Sequence, residues 1–130
     1  GDVIGGRYKL RADMGQGTFG RVVECWDMKQ WRRVAVKIVR KARALAKNYD
    51  ESVLIEAQIL RDVNDREIYD RGGPNDACLC VMMFDHFEHQ RHCCLVFECL
   101  GPSLHESLMK NGRRGFPLNV IRPIARELLQ

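Results

Sequence analysis

Three glycines, one lysine and one glutamate carry the chemistry this sequence is equipped to do. The glycines are Gly15, Gly17 and Gly20, within Met14-Gly15-Gln16-Gly17-Thr18-Phe19-Gly20-Arg21-Val22-Val23. Backbone amides at such positions can approach phosphate oxygens closely because no Cβ intervenes. Lys37 lies in Val34-Ala35-Val36-Lys37-Ile38-Val39, seventeen residues after Gly20. A charge inside an otherwise apolar run is costly unless it is paired. Strand alternation puts Ala35 and Lys37 on one face, so a small residue that leaves room for a flat base sits beside an ammonium that can reach phosphates. Glu56 shares a helical face with Val53, Leu60 and Val63, where an acid is out of place without a cation. Lys37 is the cation expected. Taken singly, these features have plainer readings: a tight hairpin, a lysine snorkelling from a strand end, a solvated helix glutamate. Taken together they describe a site that positions ATP for phosphoryl transfer, a reaction that depends mainly on positioning and charge neutralisation.

The elements around these residues decide between two folds that use a G-x-G-x-x-G string. Before the glycines, Tyr8, Leu10, Ala12 and Met14 alternate with Lys9, Arg11 and Asp13, the period of a half-buried strand. After them, Val22, Val23, Cys25 and Trp26 are strand formers with no helix start. A dinucleotide-binding fingerprint must open a helix, so an oxidoreductase of that kind is set aside. The glycines close a β-hairpin, with Thr18 and Phe19 at its tip. Residues 33–40 read as a buried third strand. From Asn48, with Glu51 in capping-box spacing, a helix is expected through Val63. The polar stretch from Asn64 to Asp76, with Gly72-Gly73-Pro74, reads as a loop. Strands over Cys78–Phe87 and His92–Glu98 are expected, joined by Glu88-His89-Gln90-Arg91. Phe97-Glu98-Cys99-Leu100-Gly101 then suits a hinge, in which the Glu98 carbonyl and the Leu100 amide face adenine and Phe97 walls the back of the pocket. Met14, Val22 and Ala35 would cover the adenine face. Ser103 or a residue next to it can cap a short helix, and a last helix from Leu118 carries an apolar stripe of Ile121, Ile124, Ala125, Leu128 and Leu129.

Bulk properties agree with a globular domain. The 130 residues are 45% hydrophobic and 29% charged, with a formal net charge of +4, and a chain of this size can bury a core. The apolar runs are too short to span a bilayer and no leader pattern opens the chain. The initial Gly1 suggests an excised piece. The basic run from Arg40 to Lys47 reads as a solvated loop and helix start, with an acidic docking partner as the sharper alternative. None of the six cysteines forms a C-x-x-C knuckle; Cys25, Cys78, Cys80, Cys93, Cys94 and Cys99 are expected as reduced thiols in an intracellular protein. His86, His89 and His92 are expected to be water-exposed turn residues, and no metal site is assigned.

These motifs resemble the small lobe of a eukaryotic protein kinase over residues 7–130, and within that family the sequence is similar to the LAMMER (Cdc-like) dual-specificity kinases. The stretches that carry the likeness are Met14–Gly20, Val23-Glu24-Cys25-Trp26-Asp27, Val34–Val39, Phe84-Asp85-His86-Phe87, Cys94-Leu95-Val96-Phe97-Glu98 and Leu100-Gly101-Pro102-Ser103-Leu104. The resemblance implies an α+β fold: a five-stranded antiparallel sheet plus one packed helix over residues 1–97, a hinge over 98–102, and the first helices of a truncated large lobe over 103–130. It implies a kinase that uses ATP and Mg2+ and phosphorylates mainly serines of arginine/serine-rich splicing factors, usually in the nucleus, with no direct nucleic-acid or membrane partner. Lys37 and Glu56 are the catalytic residues expected; Met14, Gly15, Gln16, Gly17, Thr18, Phe19, Gly20, Val22, Ala35, Lys37, Phe97, Glu98 and Leu100 are the nucleotide contacts.

Two positions depart from the family pattern. Gln16 replaces an acid at the surface of the glycine loop, and Pro123 lacks an N–H and is expected to perturb the first turn of its helix. The sequence holds no H-R-D-like loop and no D-F-G, so the catalytic base and the Mg2+ ligands are expected beyond Gln130, and the piece alone is expected to be inactive. The rival reading is a non-catalytic, truncated or pseudokinase-like interaction module.

Overall fold

The computed structural model describes residues 1–17, 20–39, 46–70 and 79–129, with backbone alone for 46–52 and 66–70. Its elements run β1 (Val3–Ile4), β2 (Tyr8–Gly17), β3 (Gly20–Asp27), β4 (Arg32–Val39), α1 (Ala46–Asp70), β5 (Met83–His89), β6 (His92–Glu98), α2 (Leu104–Lys110) and α3 (Leu118–Leu128). Two compact units result, Gly1–Cys99 and Leu100–Gln130.

In the first unit one antiparallel sheet has the order β1-β2-β3-β4-β6-β5. The five strands expected from the sequence are present, and the two-residue β1 extends them. It pairs Val3 with Lys9 and Ile4 with Tyr8, across a turn in which Gly5 and Gly6 take positive φ. Gly5 is required there: a Cβ would stand about 2.5 Å from the Phe87 ring.

Successive residues of β4 feed two different cores, as the pleat dictates. Val34 and Val36 are fully buried with Tyr8, Val23, Cys25, Cys94 and Val96 on one face. On the other face Val39 joins Leu95, Met83 and the α1 residues Val53 and Ala57, with Leu60 and Phe97 alongside. Burying each of these large apolar side chains contributes about 1.5–3 kcal/mol. Lys37 and Ala35 belong to this second, helix-covered face.

Several boundaries differ from expectation for identifiable reasons. Helix α1 does not stop at Val63 but runs to Asp70, through the stretch read as a loop. Asn64 is 4% exposed, and its carboxamide donates to the Val81 carbonyl (3.1 Å) and accepts from the Met83 amide (3.0 Å). Tertiary hydrogen bonds therefore hold a polar residue in a helix. Strand β5 starts at Met83 rather than Cys78 and continues to His89. The hairpin needs only Gln90 and Arg91, both at positive φ (49° and 64°), the two-residue geometry that matches strand twist. His86 and His89 accordingly lie on a strand, half-buried, not in an exposed turn. His89 Nδ1 accepts from the Gly5 amide (3.4 Å), and His92 Nδ1 donates to the Val39 carbonyl (3.2 Å). In β2 the alternation holds at Tyr8 and Leu10 but fails at Ala12 and Met14, which are exposed, because two register shifts interrupt the pairing with β3.

The second unit opens as the sequence suggests. Ser103 Oγ accepts from the Glu106 amide (3.1 Å), and the Glu106 carboxylate accepts from the Ser103 amide (2.7 Å), a capping box. Pro117 precedes α3, and the Val120 and Ile121 amides both reach its carbonyl. Pro123 is the sixth residue of an unbroken helix, not a first-turn breaker; its missing N–H leaves the Asn119 carbonyl without the usual i→i−4 donor. The expectations placed on the basic run 40–45, on Gly72-Gly73-Pro74 and on Cys78 fall outside the described residues.

Candidate functional site

Lys37 Nζ donates to Glu56 Oε1 at 2.7 Å. The fold brings the two elements that carry this pair together. Lys37 occupies the helix-facing side of central strand β4, between Val22 on β3 and Leu95 on β6. Helix α1 packs Val53, Ala57 and Leu60 onto that same side, which brings Glu56, three residues after Val53, within hydrogen-bond reach of Lys37. The pair is half-open to water, with Lys37 27% and Glu56 42% exposed, so the ammonium is held yet remains available to a ligand.

One step along the strands, Ala35 stands between Glu24 and Phe97. Ala35 is 7% exposed, and Val22 and Phe97 are half-buried. Val22, Ala35 and Lys37 thus form one apolar strip ending in a positive charge. Beside it a groove of about 470 Å³ is lined by Ile55, Glu56, Ile59, Leu60, Val81 and Phe97.

The glycine hairpin closes over the far end of β2 and β3. Gly15 pairs with Val22, Gln16 with Arg21 and Gly17 with Gly20; Thr18 and Phe19 fall outside the described residues. Gly20 has φ +154°, and a Cβ there would overlap the Ile38 carbonyl oxygen. A Cβ at Gly15 would meet nothing within 4 Å among the described residues. Gly20 is therefore a packing glycine, while Gly15 leaves its backbone open to an approaching group. The base of the hairpin is braced by a two-pronged contact from the Arg21 guanidinium to the Asp13 carboxylate (Nε–Oδ1 2.9 Å), which lowers the Asp13 pKa. Met14 is 46% exposed at the same end.

Glu98 closes β6. Its amide donates to the Met82 carbonyl (3.0 Å), and its carboxylate accepts from the Met82 amide (2.9 Å). Leu100 is exposed and belongs to the second unit. The structure thus brings Val22, Ala35, Lys37, Glu56 and Phe97 onto one side of one sheet, with Gly15 one strand away.

Two groups that the sequence reading missed support this arrangement. One is Asn64, whose partners at Val81 and Met83 lie 17 and 19 residues away. The other is a charged cluster at the opposite end of the hairpin. The Arg7 guanidinium grips both Asp27 oxygens (2.8 and 2.7 Å), Tyr8 Oη donates to Asp85 (2.8 Å), and the Lys29 and Gln30 amides cap Asp27. Hydrogen bonding from Arg7 holds the Asp27 carboxyl below its ordinary range; burial and the Asp85 contact push the Tyr8 hydroxyl up. Burial likewise raises the Cys25 and Cys94 thiols to about 11, which makes them inert packing groups. Among the described residues no group of three or more His, Cys, Asp or Glu could hold a metal ion, so no Mg2+ step is assigned to them. No helix among them is long and apolar enough to cross a membrane.

Comparison with known proteins agrees with the geometry. The protein kinase domain family matches residues 8–130. The chain is 42% identical over 130 residues to the serine/threonine-protein kinase AFC2 of Arabidopsis thaliana, covering all of this chain and 28% of that protein. It is 40% identical over 129 residues to the dual specificity protein kinase CLK1 of Homo sapiens (98% of this chain, 25% of that protein). It is 41% identical over 131 residues to the probable serine/threonine-protein kinase clkA of Dictyostelium discoideum (99% and 13%). The chain spans about a quarter of the length of the first two. Matched almost end to end, with a sheet that carries a glycine hairpin and presents Lys37 to a helical Glu56, this chain belongs to the protein kinase family, in its small lobe and first large-lobe helices, with the likeness of the LAMMER (Cdc-like) kinases.

Proposed function

We propose that this chain is the ATP-positioning part of a protein kinase that transfers the γ-phosphate of ATP to serine, threonine and, as in a dual-specificity enzyme, tyrosine. The observation that carries the reading is the 2.7 Å Lys37–Glu56 contact at the end of the Val22–Ala35 strip. Adenine lies against Val22 and Ala35, with Met14 above it and Phe97 behind. The Glu98 carbonyl accepts from its amino group. Lys37 neutralises the α- and β-phosphates, and Glu56 fixes where its ammonium points. The backbone at Gly15 and Gly17 covers the phosphates, and Gln16, Thr18, Phe19 and Gly20 complete the proposed nucleotide contacts. The Mg2+ ligands and the catalytic base lie outside these residues.

The substrate reading rests on the LAMMER likeness: arginine/serine-rich splicing factors, phosphorylated in the nucleus. The test uses the complete protein, labelled ATP and a peptide of alternating Arg and Ser, with a Lys/Ser peptide as comparison. Label on serine, faster for the Arg/Ser peptide, supports the proposal. No label on any protein substrate would favour the non-catalytic module instead.

A further inference from the structure

We infer that Asn64 is a positioning residue that ties helix α1 to the adenine end of the site through residues 81–83. This rests on the kinase reading above. Three consecutive residues are stitched from opposite sides. The Val81 carbonyl and Met83 amide turn toward α1 and meet the Asn64 carboxamide at 3.1 and 3.0 Å. The Met82 amide and carbonyl turn the other way and meet the Glu98 carboxylate and amide at 2.9 and 3.0 Å.

The geometry follows from strand alternation. β5 is the edge strand of its sheet, so the segment leading into it exposes one donor and one acceptor on the outer side. A primary carboxamide carries one donor and one acceptor on a single planar edge, and Asn64 therefore acts as a one-residue neighbouring strand. Asp lacks the donor. Ala would leave two polar groups unpaired beside a buried position, the costly case.

The position of Asn64 gives the stitch its consequence. It lies eight residues after Glu56 on the same helix, so it fixes the α1 end that does not contact Lys37. Glu98 carries the carbonyl proposed to accept from adenine. One path of hydrogen bonds thus runs from α1 through Asn64 and residues 81–83 to Glu98, joining the phosphate end of the site to the adenine end. Loosening it should move the adenine partner more than the lysine, and so weaken ATP binding more than the transfer step.

The experiment is a double-mutant cycle in the complete protein with Asn64→Ala, Glu98→Ala and the pair. KM for ATP and kcat are measured below all melting temperatures, with backbone amide exchange at Met82 and Met83. Asn64→Ala should raise KM for ATP about 5–10-fold, change kcat less than about 2-fold, and speed exchange at both amides. The double variant should bind ATP no worse than the weaker single one, as expected of residues in one network. Phe87→Leu, in the other core, serves as a destabilised control that leaves KM unchanged. Additive losses, or an Asn64→Ala enzyme with wild-type KM, would overturn the inference while leaving the kinase reading standing. A wild-type protein that binds no ATP would overturn both. If Asn64→Ala does not fold, Glu98→Ala alone decides: unchanged exchange at Met83 refutes the stitch.

Discussion

Removing the charge of Glu56 separates two reasons for the Lys37–Glu56 pair to exist. At 2.7 Å the Coulomb attraction is about 1.5 kcal/mol in bulk water and about 6 kcal/mol at an effective dielectric constant near 20. Lys37 is 27% and Glu56 42% exposed, and both are long side chains that lose freedom when paired. Pairs this open are worth about 0–1 kcal/mol net. Glu56→Gln or Glu56→Ala should therefore lower the melting temperature by only a few degrees. The kinetic effect should be far larger. If Lys37 acts as proposed, by analogy with preorganised donors at developing charge it should supply roughly 3–4 kcal/mol of transition-state stabilisation, and Glu56, acting only through Lys37, should account for at most that. Glu56→Ala, which frees the ammonium, is expected to cost about 100-fold in kcat/KM. Glu56→Gln keeps an acceptor at Oε1 but weakens a charge-assisted bond by about half, and is expected to cost about 10-fold. The assay is steady-state phosphate transfer by the complete protein, with melting curves on the same preparations. Adding Lys37→Met to Glu56→Ala should make the enzyme no worse than Lys37→Met alone. Losses that multiply, or a fall of several kcal/mol in stability with unchanged kcat/KM, would refute this reasoning.

Two further outcomes follow from the geometry. Gly15→Ala should fold normally, since its Cβ meets open space, and weaken ATP binding, whereas Gly20→Ala should destabilise the sheet because its Cβ overlaps the Ile38 carbonyl; melting curves beside ATP titrations distinguish them. Asp27 has a depressed pKa, chiefly through the Arg7 hydrogen bond, so its stabilisation is present above the unfolded carboxyl value near 3.9 and is lost as pH falls through the lower folded value. Asp27→Asn should cost about 1.5–3 kcal/mol near neutrality and flatten the pH dependence of stability below about pH 4, measured by denaturant unfolding.

The site was legible in the sequence to the extent that its residues violate local expectation. Lys37 stands out because an apolar strand does not tolerate an ammonium, and Glu56 because an acid interrupts a helix stripe; each anomaly is answered by the other at 2.7 Å. The sheet was legible for a similar reason, since residues 34–39 are apolar on both sides of the strand apart from Lys37, the pattern of a strand between two cores. Asn64 was not legible in this way. Its polarity reads as loop chemistry locally, and only the edge of β5, nineteen residues away in sequence, makes it a helix residue. Nor could alternation reveal the two register shifts in β2, because they belong to its pairing with β3 rather than to β2 alone. The Arg7–Asp27 and Tyr8–Asp85 contacts span 20 and 77 residues, beyond any local pattern.

The most direct test of the central claim is transfer of labelled γ-phosphate by the complete protein, wild type against Lys37→Met. Methionine keeps an unbranched apolar stem nearly as long as lysine's and removes the ammonium, and since an exposed pair of this kind adds little to stability, folding should be preserved. A loss of about 100–1000-fold in kcat, with a melting temperature within a few degrees of wild type, is the predicted result. Wild-type turnover by Lys37→Met would contradict the account.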